Sequence, residues 1–181
     1  MQVNPLSIQS PNPTPFHTRT AQPADVAYLH ELSAQVQDAL TRSGSLQEFG
    51  PIPLPEVEQM VQQGYAHLAL LDGARIGGVF LQPLPQELAA EWGIPVENRW
   101  FLSKLMIDPA RRGSGYGVAL VRALQTQAAA QQRQIVLDCW AGNVKLRQLY
   151  EGLGFGLWGV FAEGDYQIAV YGWAPTDVVF R

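Results

Sequence analysis

Cysteine is almost absent from this chain of 181 residues: Cys139 is the only one. That excludes an internal disulfide and any multi-cysteine metal site. The three histidines, His17, His30 and His67, are scattered without ligand spacing, so no metal is expected. Lysine is scarce as well. Lys104 and Lys145 are the only two among twelve basic residues, and the net charge is −4. Such a chain is poorly equipped to neutralise a phosphate backbone, so nucleic acid is not an expected partner. No long hydrophobic run is present, because Asp72 and Arg75 break the best candidate; a membrane partner is not expected either. The first residues, MQVNPLSIQSPNPTP, lack a basic start followed by an apolar stretch, unlike a secretion signal. These absences lead to the expectation of a soluble, cytoplasmic protein.

Hydrophobic residues make up 47% of the chain and charged residues 15%, the balance of a globular protein with a packed core. The length suits one domain. Residues 1–15, with four prolines, read as a poorly ordered lead-in, leaving 16–181 as a single domain.

Periodicity then divides the chain. A short strand is expected near Phe16–Thr20. A helix follows from Asp25 to about Leu40, with Val26, Leu29, Leu32, Val36 and Leu40 on one face. Gly44–Pro55 reads as a loop, and Pro55 opens a second helix to about Gln63. Ala66–Leu71, the Asp72-Gly73 turn and Arg75–Leu81 form a hairpin signal. The long connection Pro83–Arg99 holds a helical turn around Gln86–Trp92 and is a candidate wall of a binding site. Strands are expected at Trp100–Ile107, Gln134–Cys139, Phe155–Phe161 and Tyr166–Trp173. Helices are expected from Gly115 to about Gln131 and over Asn143–Gly152. The order implies an α/β (α+β) fold: a mixed, mostly antiparallel sheet of six to seven strands with helices on both faces.

The segment LSKLMIDPARRGSGYGVALVRAL carries the chemistry. A strand runs into a loop with glycines at 113, 115 and 117 and then directly into a helix. Glycine lets backbone approach a ligand closely, and a helix N-terminus offers unpaired N–H groups with partial positive charge. Together they suit a pyrophosphate, and Arg111 and Arg112 can add charge-assisted bonds. The P-loop pattern GxxxxGK[ST] is absent. A dinucleotide fingerprint fails because Val118 stands where its third glycine belongs. What remains is Arg112-x-x-Gly115-x-Gly117, which in isolation also reads as a turn that merely caps a helix.

A second block changes that balance. Leu137-Asp138-Cys139-Trp140-Ala141-Gly142-Asn143 leads into Leu146-Arg147-Gln148-Leu149-Tyr150-Glu151-Gly152-Leu153-Gly154-Phe155. With Leu105 to Gly117, it resembles the two linked strand–helix units of the GCN5-related N-acetyltransferase (GNAT) family. The blocks cover about a third of the chain. The resemblance implies a GNAT-like fold and acetyl transfer from acetyl-CoA to a primary amine by direct attack in a ternary complex. It further implies that the backbone of Leu105, Met106 and Ile107 pairs with the pantetheine arm. The amides of Arg112, Gly113, Ser114, Gly115, Tyr116, Gly117 and Val118 would hold the pyrophosphate. The Asn143 side chain would reach the pantetheine, and Tyr150 would protonate the departing thiolate.

Simpler roles stand beside these. Asn143 is also a good helix N-cap, and Tyr150 lies on an apolar stripe. Cys139, in an apolar strand, is expected to be buried and inert. Many family members carry a glutamate on the strand before the loop; the matching position here is Phe101. Asp138, Glu48, Ser103 or a water held by backbone carbonyls could replace that base, and none is assigned. Ser103 and Lys104 are expected on opposite faces of their strand. The acceptor side is expected from the first helix region, the 44–55 loop and the 83–99 connection. Trp92, Trp100, Trp140 and Trp158 are candidate lining residues, each of which also reads as ordinary core or rim. The expected acceptor is a small-molecule amine. The alternatives are a protein amine or a non-catalytic acyl-CoA-binding domain. Sequence leaves the oligomeric state, homodimer included, open.

Overall fold

The computed structural model describes residues 16–176. The proline-bearing stretch 1–15 and residues 177–181 lie outside the described residues. The hairpin forms as its turn chemistry requires: β2 (Ala66–Leu71) and β3 (Ala74–Pro83) flank Asp72 and Gly73, with φ of +51° and +78°. Left-handed backbone at both central positions is the geometry that matches strand twist. Leu29, Leu32 and Val36 bury one face of α1 (Val26–Arg42), which follows a 3-10 turn at Pro23–Asp25. Proline in the first turn opens α2 (Leu54–Gln62). The long connection contains α3 (Gln86–Trp92), ended by Gly93 at φ +65°. The remaining elements are β1 (His17–Thr20), β4 (Arg99–Ile107), α4 (Tyr116–Ala130), β5 (Gln134–Trp140), α5 (Val144–Gly152), β6 (Gly156–Glu163) and β7 (Tyr166–Trp173).

The seven strands of the described residues join one sheet in the order β1-β2-β3-β4-β5-β7-β6. Every pairing is antiparallel except β4 with β5. Strand alternation sends Leu102, Ile135, Leu137, Cys139 and Tyr171 to one face, where Leu120 and Leu124 of α4 and Tyr150 of α5 cover them. On the other face α1 and α2 pack over Leu68, Phe80 and Met106. Beside them on that face, Trp92 and Ala89 of α3 cover Phe101, Val136, Ile168 and Val170. Burying a side chain of this size contributes about 1.5–3 kcal/mol.

Phe101 therefore belongs to the core. It is 7% exposed, and its ring lies 5.8 Å from that of Trp92. Alternation fails three residues later, at Lys104. Ser103 pairs with Phe80 and so shares its face, but the β3–β4 register shifts there, and Lys104 adopts φ +54°. This bulge also turns the Lys104 side chain toward the α1–α2 face, where its ammonium donates to the Phe49 carbonyl at 2.6 Å. Ser103 and Lys104 thus lie on the same side, not on opposite faces.

Close backbone approach explains one glycine of β3. Gly77 pairs with Ile107, and a Cβ there would run into the Met106 carbonyl oxygen. Gly77→Ala is expected to cost about 1–3 kcal/mol, because the clash is with backbone rather than with a movable side chain. Urea unfolding measures it; an unchanged midpoint would mean that β3 and β4 can separate locally.

Candidate active site

β4 and β5 run side by side only from Arg99–Gln134 to Leu102–Leu137. Beyond that point the bulge turns β4 aside. Ser103 to Ile107 then has no strand partner on its β5 side among the described residues. Leu105 has no partner in β3 either, because it falls in the bulge. The sheet opens into a wedge whose edges are backbone, and unpaired backbone of this kind can accept an extended ligand as an added strand. Leu105, Met106 and Ile107, singled out from the sequence, all lie along one edge.

The loop after β4 begins with Asp108, whose Oδ1 accepts from the Ala110 amide at 2.9 Å and caps a short 3-10 turn at Pro109–Arg111. Gly113 and Gly115 both occupy left-handed backbone, at φ +80° and +79°. The chain then enters α4 with no side-chain cap. Among the described residues, the amides of Gly113, Ser114, Gly115, Tyr116, Gly117 and Val118 have no intramolecular acceptor. They form a concave set of donors at the positive end of a helix, which suits a polyanion. The Arg112 amide differs, since it donates to the Pro109 carbonyl at 3.4 Å. Arg112 can still contribute its exposed guanidinium.

The far side of the wedge is β5 and α5. Asn143 caps α5, its Oδ1 accepting from the Leu146 amide at 3.1 Å. Its side-chain NH₂ remains available, so capping and ligand contact are compatible. Tyr150 is 3% exposed, and its ring packs against Phe155 and Tyr171 at 5.7 and 6.1 Å. Burial, followed by the nearby Cys139 and Asp138, holds its phenol well above the usual range. Cys139 is itself buried, and burial pushes its thiol up to about 12, the state of an inert structural cysteine.

On the α1–α2 face the wedge is overhung by the 44–53 loop. Gln37 Oε1 accepts from the Phe49 and Gly50 amides at 2.6 and 2.8 Å, and Ser33 Oγ accepts from the Ile52 amide at 2.9 Å. Lys104 fastens the same loop from below and lies over the Phe49 ring, 5.1 Å from its centre. One contact had no signal in the sequence. The Ala141 amide donates to Gln167 of β7, so the neighbouring Trp140 amide points the other way, into the wedge. There Gln47 Oε1 accepts it at 3.2 Å. Gln47 and Trp140 are far apart in the chain, and only the folded loop brings them together.

Of the candidate tryptophans, Trp140 alone borders the wedge. Trp92 is in the core. Trp100 packs on the α4–α5 face, beside the stretch where β4 and β5 are still paired. Trp158 is exposed on β6 and packs over Gly172. The 83–99 connection supplies α3 as a cover for the neighbouring core.

The two loop glycines should respond differently to alanine. Gly115→Ala places a side chain in left-handed backbone, costing about 1–2 kcal/mol and distorting the donor set. At Gly117 a Cβ would sit 3.8 Å from Ile107 Cγ1, an ordinary contact, in right-handed helix. Gly117→Ala should therefore melt at or slightly above the parent temperature, by up to about 1 kcal/mol in stability. Thermal unfolding compares them; equal losses would overturn this account of the loop.

Comparison with known proteins fits this geometry. A family model described as the acetyltransferase (GNAT) family matches residues 33–155. A GNAT-family acetyltransferase from Streptococcus agalactiae 2603 superposes with a TM-score of 0.75 at 16% identity, covering 90% of this chain and 96% of that one. A spermidine N-acetyltransferase chimera from Vibrio cholerae and hSSAT gives 0.67 at 17% identity, covering 88% and 95%. An acetyl transferase from Salmonella typhimurium that modifies the N-terminal serine of ribosomal protein L7/L12 gives 0.66 at 20%, covering 90% and 96%. Identities this low establish a shared fold and nothing finer. No curated protein matches the chain.

Proposed function

The chain belongs to the GNAT family of acetyl-CoA-dependent N-acetyltransferases, and on that premise we propose that it transfers the acetyl group to the primary amine of a small molecule. The observation that carries this reading is the wedge between β4 and β5, set directly beside the unpartnered amides of Gly113 to Val118. A pantetheine arm needs an extended slot with free backbone donors and acceptors. A pyrophosphate needs converging N–H groups. The wedge and the run of free amides support this reading, since they follow one another in the order in which coenzyme A carries those groups.

In this reading Leu105, Met106 and Ile107 pair with the arm, Gly113 to Val118 and the Arg112 side chain hold the phosphates, and Asn143 adds its amide. Tyr150 faces the departing sulfur. Burial keeps it protonated, so it presents a hydrogen-bond donor throughout and yields its proton only as the thiolate forms. The amine enters from the face overhung by the 44–53 loop and attacks directly. A small acceptor is supported by that loop, which Gln37, Ser33 and Lys104 hold against the sheet over the amine's side of the wedge.

Isothermal calorimetry with acetyl-CoA tests the donor half, and micromolar binding is the expected result. Thiol release over a panel of amino acids, diamines and aryl amines tests the acceptor half. Tyr150→Phe should lower release by about 10²-fold or more with acetyl-CoA affinity kept. An unchanged rate would remove Tyr150 as the acid. Firm binding without release on any amine would favour an acyl-CoA-binding role, for which the burial of Phe101 is the structural motive.

A further inference from the structure

The transferase reading leaves one step without a residue. An alkylamine is protonated at neutral pH and must lose a proton before it can attack, and the position matched to the family's glutamate is Phe101, sealed under Trp92. We propose that Asp138, at the point where β5 leaves β4, takes this proton from the incoming ammonium.

The placement comes from strand geometry. The last parallel pair is Leu102–Leu137, so Asp138 is the first residue of β5 on the open edge. Its neighbours Leu137 and Cys139 face α4 and α5, and Val136 faces α3. Alternation therefore sends the Asp138 side chain to the face overhung by the 44–53 loop, the side opposite Tyr150. Its peptide N–H points into the wedge, as that of Trp140 does two residues on. An acid behind the wedge and a base in front of it give attack and departure separate proton routes.

The surroundings of the carboxyl suit the task. The charges acting on it are Lys104 from β4 and Glu163 at the end of β6; Tyr166 of β7, itself beside Glu48 of the loop, also senses it, and Cys139 and Tyr150 lie behind. Lys104 is the cation that acts on it, but its ammonium is committed to the Phe49 carbonyl, and no ion pair forms between Lys104 and Asp138. Burial and the Glu163 charge outweigh Lys104 and push Asp138 up to about 6. A carboxyl with that value is ionised at neutral pH, yet is basic enough to hold a proton briefly. Because the value is raised, the basic form is lost as pH falls through about 6, and activity should fall with it.

The proton account closes. One ammonium proton passes to the Asp138 carboxylate and on to solvent. The freed nitrogen lone pair forms the C–N bond to the thioester carbonyl carbon as the C–S bond breaks. Tyr150 protonates the sulfur, and the second proton, acidic once the C–N bond exists, restores the tyrosine. The products are amide, free thiol and one proton released.

This inference rests on the transferase reading, and the test separates the two. Thiol release from acetyl-CoA is followed with n-butylamine, protonated at pH 7, and with hydroxylamine, largely unprotonated there. With acetyl-CoA affinity unchanged by calorimetry, Asp138→Asn should slow the n-butylamine reaction by about 10²-fold or more and the hydroxylamine reaction by less than about threefold. The acid limb of the wild-type rate profile, near pH 6, should vanish in Asp138→Asn and return in Asp138→Glu. Equal losses with both amines, or an acid limb that survives in Asp138→Asn, would overturn the assignment and leave the transferase reading intact. Binding of acetyl-CoA without release on either amine by the wild type would overturn both.

Discussion

The site depends on the point at which two parallel strands stop pairing. β4 and β5 hold together from Arg99 to Leu102 and then part at the bulge where Lys104 takes left-handed backbone. A lysine in that conformation is strained by about 1–3 kcal/mol and persists only where its surroundings enforce it. Here the ammonium–carbonyl bond to Phe49 and the pairing on the β3 side do so. Without the bulge β4 would continue beside β5, its backbone groups would be consumed by the sheet, and no wedge would exist.

The wedge divides the molecule by task. On the α4–α5 side, glycines at φ near +80° release a run of amides at a helix N-terminus. That side suits an anionic, extended ligand through backbone groups, which depend little on side-chain identity. On the α1–α2 side the lining is made of side chains: Asp138, Lys104, Trp140 and Gln47. The backbone side therefore follows from the fold, and the side-chain side is particular to this chain.

Most of the fold was legible because its signals are local. Asp72-Gly73 specified a hairpin, Gly154 marked the end of α5, and the apolar spacing of α1, α4 and α5 placed their buried faces. The donor side was legible for the same reason: Arg112 to Gly117 is one contiguous segment, and the Asn143–Phe155 block lies a fixed distance beyond it. Where alternation was applied through the bulge it failed, because an inserted residue resets the face of everything near it. Three of the four tryptophans took the plainer reading, core or rim, and Trp140 alone came to the wedge. Aromatic residues are buried wherever apolar area is available, so their type says nothing about which surface they meet.

The sequence by itself determined the order of elements, the buried stripes, the glycine-rich anion loop and the family, since each is written in neighbouring residues. Tertiary structure alone decided where β4 and β5 separate and which side chains meet there. It brought Gln47 to the Trp140 amide, tied Lys104 to Phe49, sealed Phe101 under Trp92 and left Asp138 half-buried on the open edge. Those contacts join residues distant in the chain, and their energies depend on burial and relative placement, which no local pattern encodes.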